Sequence, residues 1–482
     1  MKISDLLDNA NFSCDTDIEF EKLTYRPEES DTTSLLFLLN DAAIEKFIRI
    51  RPQATAIVVE NGKAEELNQP KIAVNNIRAY LSLAYKNFFC YDLSNITFIG
   101  ITGTNGKSTT AIFLKEILKE AGKNVGLVGT GKIMINDEII SSFDYSMTTP
   151  PPDILYPTIA KMKNRNVDTI IMEVSSHGLT QERVFPIEFD IGIFTNLSAE
   201  HLDYHKDIDS YFEAKKRLFE RSNISIINTD DPYGHMLKET KPNSYSIGIT
   251  KPADSMAISV ASLGLKGSKF VYKDEADAQS FNLAIPASYN VYNALLAIRA
   301  AKELGVSVRR SKIALESIKR LDGRFMVVHT DPTVIIDYAH TSLAFDNLMK
   351  NLFSYKNSRQ KLCVVFGCGG ERDKYKRSEM GKCAEKYADR IIITSDNPRG
   401  EDPLEIINDI ICDMRTDPKI IVDRESAIHY AIENSTDDEI IAIVGKGPEK
   451  YSIENGFYRT FDEEEIVMNA LKRRNNIYNE QP

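Results

Sequence analysis

Short apolar runs of strand length alternate with longer amphipathic stretches along most of the chain. Before Cys90 the runs are Leu35 to Leu39 and Ala56 to Val59, and a helical stretch from Asn75 to Phe89 closes the region. From Ile96 the pattern becomes strand, loop, helix, repeated. Ile96 to Ile101 is rich in β-branched residues, Thr102 to Lys107 reads as a loop, and Ser108 to Ala121 as a helix. Later runs at Thr169 to Met172, Ile191 to Phe194 and Ile224 to Ile227 are short and bounded by turn residues, as buried parallel strands are. Alternation with helices predicts a doubly wound sheet. After Leu321-Asp322-Gly323-Arg324 a further set of strands is predicted at Thr333 to Ile336, Leu362 to Phe366, Arg390 to Thr394 and Ile440 to Val444, with amphipathic helices between.

The fold class expected is therefore α/β in three domains. A small N-terminal α/β domain spans 1–92, a central doubly wound domain with a phosphate loop spans 93–322, and a Rossmann-like α/β domain spans 323–482. The length of 482 residues agrees with about 150 residues per domain. The chain has 42% hydrophobic and 27% charged residues, a globular composition. Its formal net charge of -11 argues against a nucleic-acid or anionic-membrane binder. The six cysteines, Cys14, Cys90, Cys363, Cys368, Cys383 and Cys412, show no CxxC spacing and read as reduced thiols. The start, MKISDLLDN, has no apolar core of a secretory signal, and no run is long enough to span a membrane. A cytoplasmic protein is expected.

Three groups of residues carry chemistry. Gly103-Thr104-Asn105-Gly106-Lys107-Ser108, followed by Thr109, lies between a strand and a helix. Glycines let backbone N–H groups turn toward phosphate oxygens, the lysine can neutralise a transferred phosphate, and the serine can hold Mg²⁺. The first glycine of a strict Walker A pattern is missing, since Ile101 stands in its place. A plain glycine-rich turn with an exposed lysine is the alternative. Glu173 ends a strand, where a carboxylate suits Mg²⁺ or simply faces water. His201 and His205 are four residues apart, as a metal pair or as two structural histidines would be, and the structural reading is preferred for His205. Read locally, Lys215 is an ordinary exposed helix lysine.

Longer segments resemble the Mur ligase family. They are GTNGKST (Gly103 to Thr109), EVSSHGLTQERV (Glu173 to Val184), NLSAEHLDYH (Asn196 to His205), DYAHT (Asp337 to Thr341), FGCGGERDKYKR (Phe366 to Arg377) and SDNPRGEDP (Ser395 to Pro403). The later segments are similar to the branch that adds diaminopimelate as the third residue of the peptidoglycan stem peptide. The resemblance implies an ATP-dependent amide ligase that joins a UDP-linked muropeptide to a diamino acid through an acyl phosphate, acting as a monomer.

The same resemblance implies roles. Gly103 to Thr109, Asn290, Asn293, Arg324 and Asp337 would bind ATP. Lys107, Glu173, His201 and Lys215 would be catalytic, with two Mg²⁺ ions held by Ser108, Glu173, His201 and Lys215, the last as a carbamate. Thr148, Thr149, Ser175, Gln181 and Arg183 would contact the muropeptide. Arg372, Asp396, Asn397, Arg399, Gly445 and Glu449 would bind the diamino acid. Three departures stand out. Tyr25-Arg26-Pro27-Glu28 replaces the usual Y-D-S-R uridine signature, Glu200 replaces an aspartate before His201, and Pro448 replaces a histidine in Gly445-Lys446-Gly447-Pro448-Glu449. The alternatives are a Mur-type ligase for a different acceptor or amino acid, and a non-catalytic nucleotide-binding homologue. Folylpolyglutamate synthetases share the central architecture but not the Asp396 to Arg399 motif.

Overall fold

The computed structural model describes residues 1–2, 6, 18–65, 67–90, 92–143 and 147–479, without the side chains of Asp203 and residues 477–479. Cys14 lies outside the described residues, and the other five cysteines are free. No described helix is long and apolar enough to cross a membrane.

Three sheets dominate. The first has four parallel strands in sequential order, Lys22–Thr24, Ser34–Phe37, Ala56–Glu60 and Lys71–Val74. Helices Asp41–Ile50 and Ile77–Phe89 accompany it, each started by an asparagine whose side chain accepts a backbone N–H of the first turn.

The second sheet has eleven strands. Its parallel centre comprises Ser244–Gly248, Ser222–Asn228, Phe189–Phe194, Thr97–Thr102, Thr169–Glu173 and Val125–Gly129. Four of these are the β-branched runs predicted from the sequence, with ends shifted by a residue or two; Val125–Gly129 and Ser244–Gly248 were not predicted. Antiparallel wings were not predicted. Lys132–Ile135 and Glu138–Ser142 extend one edge, and Ser255–Ser262, Ser268–Lys273 and Ala278–Leu283 extend the other. Serines and Asn282 interrupt them, so no continuous apolar run marks them. After Thr97–Thr102 the chain first builds one side of the sheet and then crosses to the other. The loop 103–106 therefore sits where strand order reverses, at the carboxyl ends of the strands.

The third sheet has six strands. Met326–Thr330 runs antiparallel to Thr333–Asp337, which is followed by the parallel strands Ile440–Val444, Leu362–Phe366, Arg390–Ile393 and Lys419–Ile420. The loops holding Tyr338 to His340, Gly367 to Arg372, Asp396 to Arg399 and Gly445 to Glu449 all leave its carboxyl edge.

Alternate residues of the central strands feed different cores. Phe98, Ile170 and Met172 join one that continues into Leu35, Phe37 and Val58 of the first sheet. Ile99, Ile101 and Ile171 join another under helices Lys107–Glu120 and Tyr289–Glu303. The third sheet has a core on each face, one of which also takes in Ala287 from the central domain.

Candidate active site

The phosphate loop is shaped by two glycines that no other residue can replace without strain. Gly103 has φ 143° and Gly106 has φ 87°. A Cβ on Gly103 would collide with Thr195 Oγ1, and one on Gly106 with Asn293 Oδ1. Asn196 fastens the loop from the neighbouring strand end. Its carbonyl accepts from Thr104 N at 2.8 Å, and its side-chain oxygen accepts from Asn105 N at 3.0 Å. Lys107 folds back onto the loop and donates to the carbonyls of Gly103 (2.8 Å) and Thr104 (2.9 Å). Burial pushes its ammonium below the ordinary lysine value, with Glu173 acting in the opposite sense.

Glu173 closes the strand beside the loop. Its Oε2 accepts from Ser108 Oγ at 2.8 Å and Thr130 Oγ1 at 3.3 Å, and its Oε1 from Thr130 N at 3.2 Å. His201 stands at φ 57°, its ring edge-on to His177 at 5.1 Å. Burial, and next the charges of His177 and Lys215, lower its pKa to about 2. It is a neutral imidazole with a lone pair to offer.

Lys215 corrects the local reading of an exposed helix lysine. It lies on the inward face of helix Ile208–Glu220 and is 1% exposed. Its Nζ donates to the Gly103 carbonyl at 3.0 Å and rests 4.3 Å from the Tyr211 ring. Burial, reinforced by Lys107, holds its pKa well below the ordinary value. Helical periodicity assigned it wrongly because its neighbours Glu213 and Lys216 are polar. His205 is buried, with Nε2 2.9 Å from Ser176 Oγ.

Next to Glu173, Thr149 Oγ1 donates to the Glu173 carbonyl at 3.0 Å and lies 3.1 Å from Ser175 Oγ. Arg183 Nη1 donates to the Thr149 carbonyl at 2.6 Å, and its Nη2 to Gln181 Oε1 at 2.8 Å. Thr148 Oγ1 accepts from Thr130 at 3.4 Å.

From the third sheet, Arg324 Nη2 reaches Ser108 Oγ at 3.2 Å while its guanidinium lies over the Tyr338 ring. Asp337 is buried and accepts from Phe325 N (2.6 Å) and Ala339 N (2.7 Å). Burial raises its pKa. Arg399 Nη1 donates to the carbonyls of Gly370 (2.8 Å) and Asn397 (3.3 Å), so it caps its loop. It also lines the cavity.

One cavity of about 370 Å³ joins these groups. Its walls include Thr104 to Thr109, Thr148, Glu173, Ser175, Arg183 and His201 from the central sheet. Arg324, Arg372, Asp396, Asn397, Arg399, Gly445 and Glu449 face them from the third. Gly103, Thr149, Gln181, Lys215, Asn290, Asn293 and Asp337 do not line it. Asn290 and Asn293 are buried under the loop and joined at 3.0 Å.

Sequence reasoning missed Thr130, His177, Tyr338, His340 and Lys376, which also line the cavity. Thr130 follows a parallel strand on the same edge as Glu173, so its place at a strand's carboxyl end was the available signal.

Comparison with known proteins places this arrangement. Residues 101–301 match the Mur ligase middle domain and residues 323–447 the Mur ligase, glutamate ligase domain. The chain is 36% identical to UDP-N-acetylmuramoyl-L-alanyl-D-glutamate--2,6-diaminopimelate ligase of Clostridium tetani, covering 98% of this chain and 99% of that one. This chain belongs to the Mur ligase family. A second relative of the same name, from Caldanaerobacter subterraneus, is 41% identical over 88% of each chain. A solved structure of a UDP-N-acetylmuramoyl-L-alanyl-D-glutamate--2,6-diaminopimelate ligase superposes with TM-score 0.66 at 26% identity, covering 95% of both chains. Folylpolyglutamate synthase of Mycobacterium tuberculosis shares the fold, with TM-score 0.64 at 15% identity, covering 83% of this chain and 95% of that one.

In this Mur ligase six cationic side chains line the cavity: Lys107, Arg183, Arg324, Arg372, Lys376 and Arg399. Among the described residues none of the six has a carboxylate within 4.0 Å. In a chain of net charge -11, that leaves positive charge for ligands carrying phosphates and carboxylates. Ser108, Glu173 and Thr130 meanwhile gather hydroxyl and carboxylate oxygens, a donor set that fits Mg²⁺. That ion takes one or two carboxylates and completes its octahedron with water and phosphate oxygens.

Proposed function

We propose that this Mur ligase joins 2,6-diaminopimelate to UDP-N-acetylmuramoyl-L-alanyl-D-glutamate at the expense of ATP, in the synthesis of peptidoglycan precursors. The observation that carries the reading is the single cavity in which a phosphate loop faces Arg399 and Glu449 across six cations without carboxylate partners. The work divides among the three domains. Residues 1–92 take the nucleotide sugar, 93–322 take ATP, and 323–482 take the diamino acid.

In the first step a carboxylate oxygen of the muropeptide attacks the γ-phosphorus of ATP, the bond to the β-phosphate oxygen breaks, and ADP leaves. In the second, the amine attacks the acyl phosphate, the C–O bond to phosphate breaks, and the amine's proton is lost. The protein contributes position and charge rather than covalent chemistry. Backbone N–H groups of the loop face the phosphates, and Lys107 exchanges its carbonyl partners for the transferred phosphoryl group. Arg183, anchored on Thr149, orients the muropeptide carboxylate. Arg324 brings charge from the third sheet to the phosphates at Ser108.

Ser108 and Glu173 would hold one Mg²⁺ ion and His201 with a carbamylated Lys215 a second, and the ions would supply neutralisation of phosphate charge. Lys215 suits carbamylation because burial lowers its pKa and so favours the neutral amine, the form that adds CO₂.

Arg399 selects the amine. Its guanidinium pairs with the distal carboxylate of diaminopimelate and opposes the distal ammonium of lysine. The test compares the two amines. Diaminopimelate is expected to exceed lysine by about a hundredfold in kcat/KM, and Arg399→Ala to erase most of the difference. Equal turnover of both amines by the unaltered enzyme would end the assignment.

A further inference from the structure

Lys446 is a lysine with no water to reach. It is 0% exposed, behind the wall of the cavity rather than in it. Its Nζ donates to Asn397 Oδ1 at 2.7 Å and to the Tyr451 carbonyl at 2.9 Å. Two carboxylates flank it at somewhat longer range, Glu449 at 3.9 Å and Asp396 at 4.0 Å. A buried ammonium costs several kcal/mol unless its surroundings compensate it, and here Asn397, Asp396 and Glu449, the nearest polar side chains, all belong to the loops that wall the diamino-acid side of the cavity.

The hydrogen bonds around Asn397 have only one consistent arrangement. Ile453 N, which does not line the cavity, also donates to Asn397 Oδ1, at 3.0 Å. With Lys446 and Ile453 both donating, Asn397 must present its oxygen to them and its Nδ2 the other way. That Nδ2 donates to Glu449 Oε2 at 2.8 Å, while Tyr338 O–H donates to Glu449 Oε1 at 3.1 Å. Glu449 thus has one donor on each oxygen and keeps lone pairs directed at the cavity it lines.

We propose that Lys446 is a positioning residue for the amine substrate: it fixes the orientation of the Asn397 amide and, through it and through its own charge, keeps Glu449 an anion that can hold an ammonium group. This rests on the reading of the cavity as a diamino-acid site.

The electrostatics agree. Burial and the neighbouring Asp396 raise the Glu449 pKa to about 7, and Lys446 acts against both. The charged and titratable groups around Glu449 are Asp396, Lys446, Tyr338 and, beyond Asp396, Arg424. Lys446 is the closest cation among them, so without it Glu449 takes up its proton at a higher pH. A protonated Glu449 offers an ammonium nothing to pair with.

The experiment is the pH dependence of KM for diaminopimelate from pH about 6 to 9, a range that brackets the Glu449 transition, in the full-length enzyme with saturating ATP and muropeptide. In the unaltered enzyme KM is expected to fall as pH rises through about 7. Lys446→Met should move that midpoint upward and raise KM at pH about 7 by tenfold or more, with KM for ATP unchanged. Lys446→Gln keeps a donor for Asn397 without the charge. It should shift the midpoint too, but raise the high-pH KM less than Lys446→Met. A KM that rises in the variants with its midpoint unmoved would overturn the proposal, since that is what loss of packing alone produces. If neither variant folds, the unaltered enzyme decides: a KM flat across the range overturns it. Absence of turnover with diaminopimelate in the unaltered enzyme would instead reject the diamino-acid site itself.

Discussion

At the scale of single residues, the site is built from lysines whose surroundings alter their chemistry. Lys107 and Lys215 both donate to the Gly103 carbonyl, one from within the loop and one from behind it. Lys107→Ala is expected to leave the fold intact and lower ligation by about a thousandfold, the scale of a lost transition-state charge contact; single-turnover formation of ADP would measure it. For Lys215 the expected signature is chemical. Removing CO₂ should lower activity, and Lys215→Ala should regain part of it with added acetate or formate. A Lys215→Ala enzyme fully active without additives would remove the carbamate from the mechanism. The sequence displayed Lys107 openly, because glycines on either side of a strand-to-helix turn have few other uses. It hid Lys215, whose burial depends on the direction in which a helix faces and not on any neighbour in the chain.

At the scale of elements, legibility followed hydrophobic continuity. Strands buried on both faces, such as Leu362–Phe366 and Ile440–Val444, lie where unbroken apolar runs placed them. The antiparallel wings of the central sheet alternate and carry serines and lysines, so they escaped notice. Charged residues inside the elements were equally hard to read. Arg424, at the start of helix Arg424–Glu433, is 2% exposed and donates through Nε to Glu463 at 2.7 Å, at the start of helix Glu463–Asn479. It also donates to the Val444 carbonyl at 2.9 Å. Arg424→Ala would strand a buried carboxylate and is expected to destabilise the protein by about 3–5 kcal/mol, read from the shift of the urea unfolding midpoint.

At the scale of the whole molecule, two junctions join the three sheets. The first sheet and the central sheet share one apolar core, in which Leu35, Phe37 and Tyr85 join Tyr156 and Phe189. Tyr25 and Arg26, in the altered uridine segment, add hydrogen bonds to Asp153 at 3.1 and 2.8 Å. The central and third domains also share apolar packing, since Ala287, Leu265 and Tyr289 join the core around Phe325 and Phe345, and across the cavity they add polar contacts: Arg324 on Ser108, Asn105 Nδ2 on Thr341 Oγ1 at 3.4 Å, and His340 3.9 Å from Glu200. Glu200, where the family has aspartate, carries the extra methylene that extends its carboxylate toward His340.

The Arg324 contact has a consequence for how the two small substrates sense each other. A guanidinium that reaches from the third sheet to Ser108 gives the nucleotide side and the amine side a shared contact through which each is expected to sense the other. Thermodynamic reciprocity then requires that ATP strengthen the amine's binding by the same factor by which the amine strengthens that of ATP. Calorimetric titration of each ligand with and without the other, using a non-hydrolysable ATP analogue, should return two equal factors. Arg324→Ala should bring both toward one, leaving two sites in the same cleft that no longer communicate.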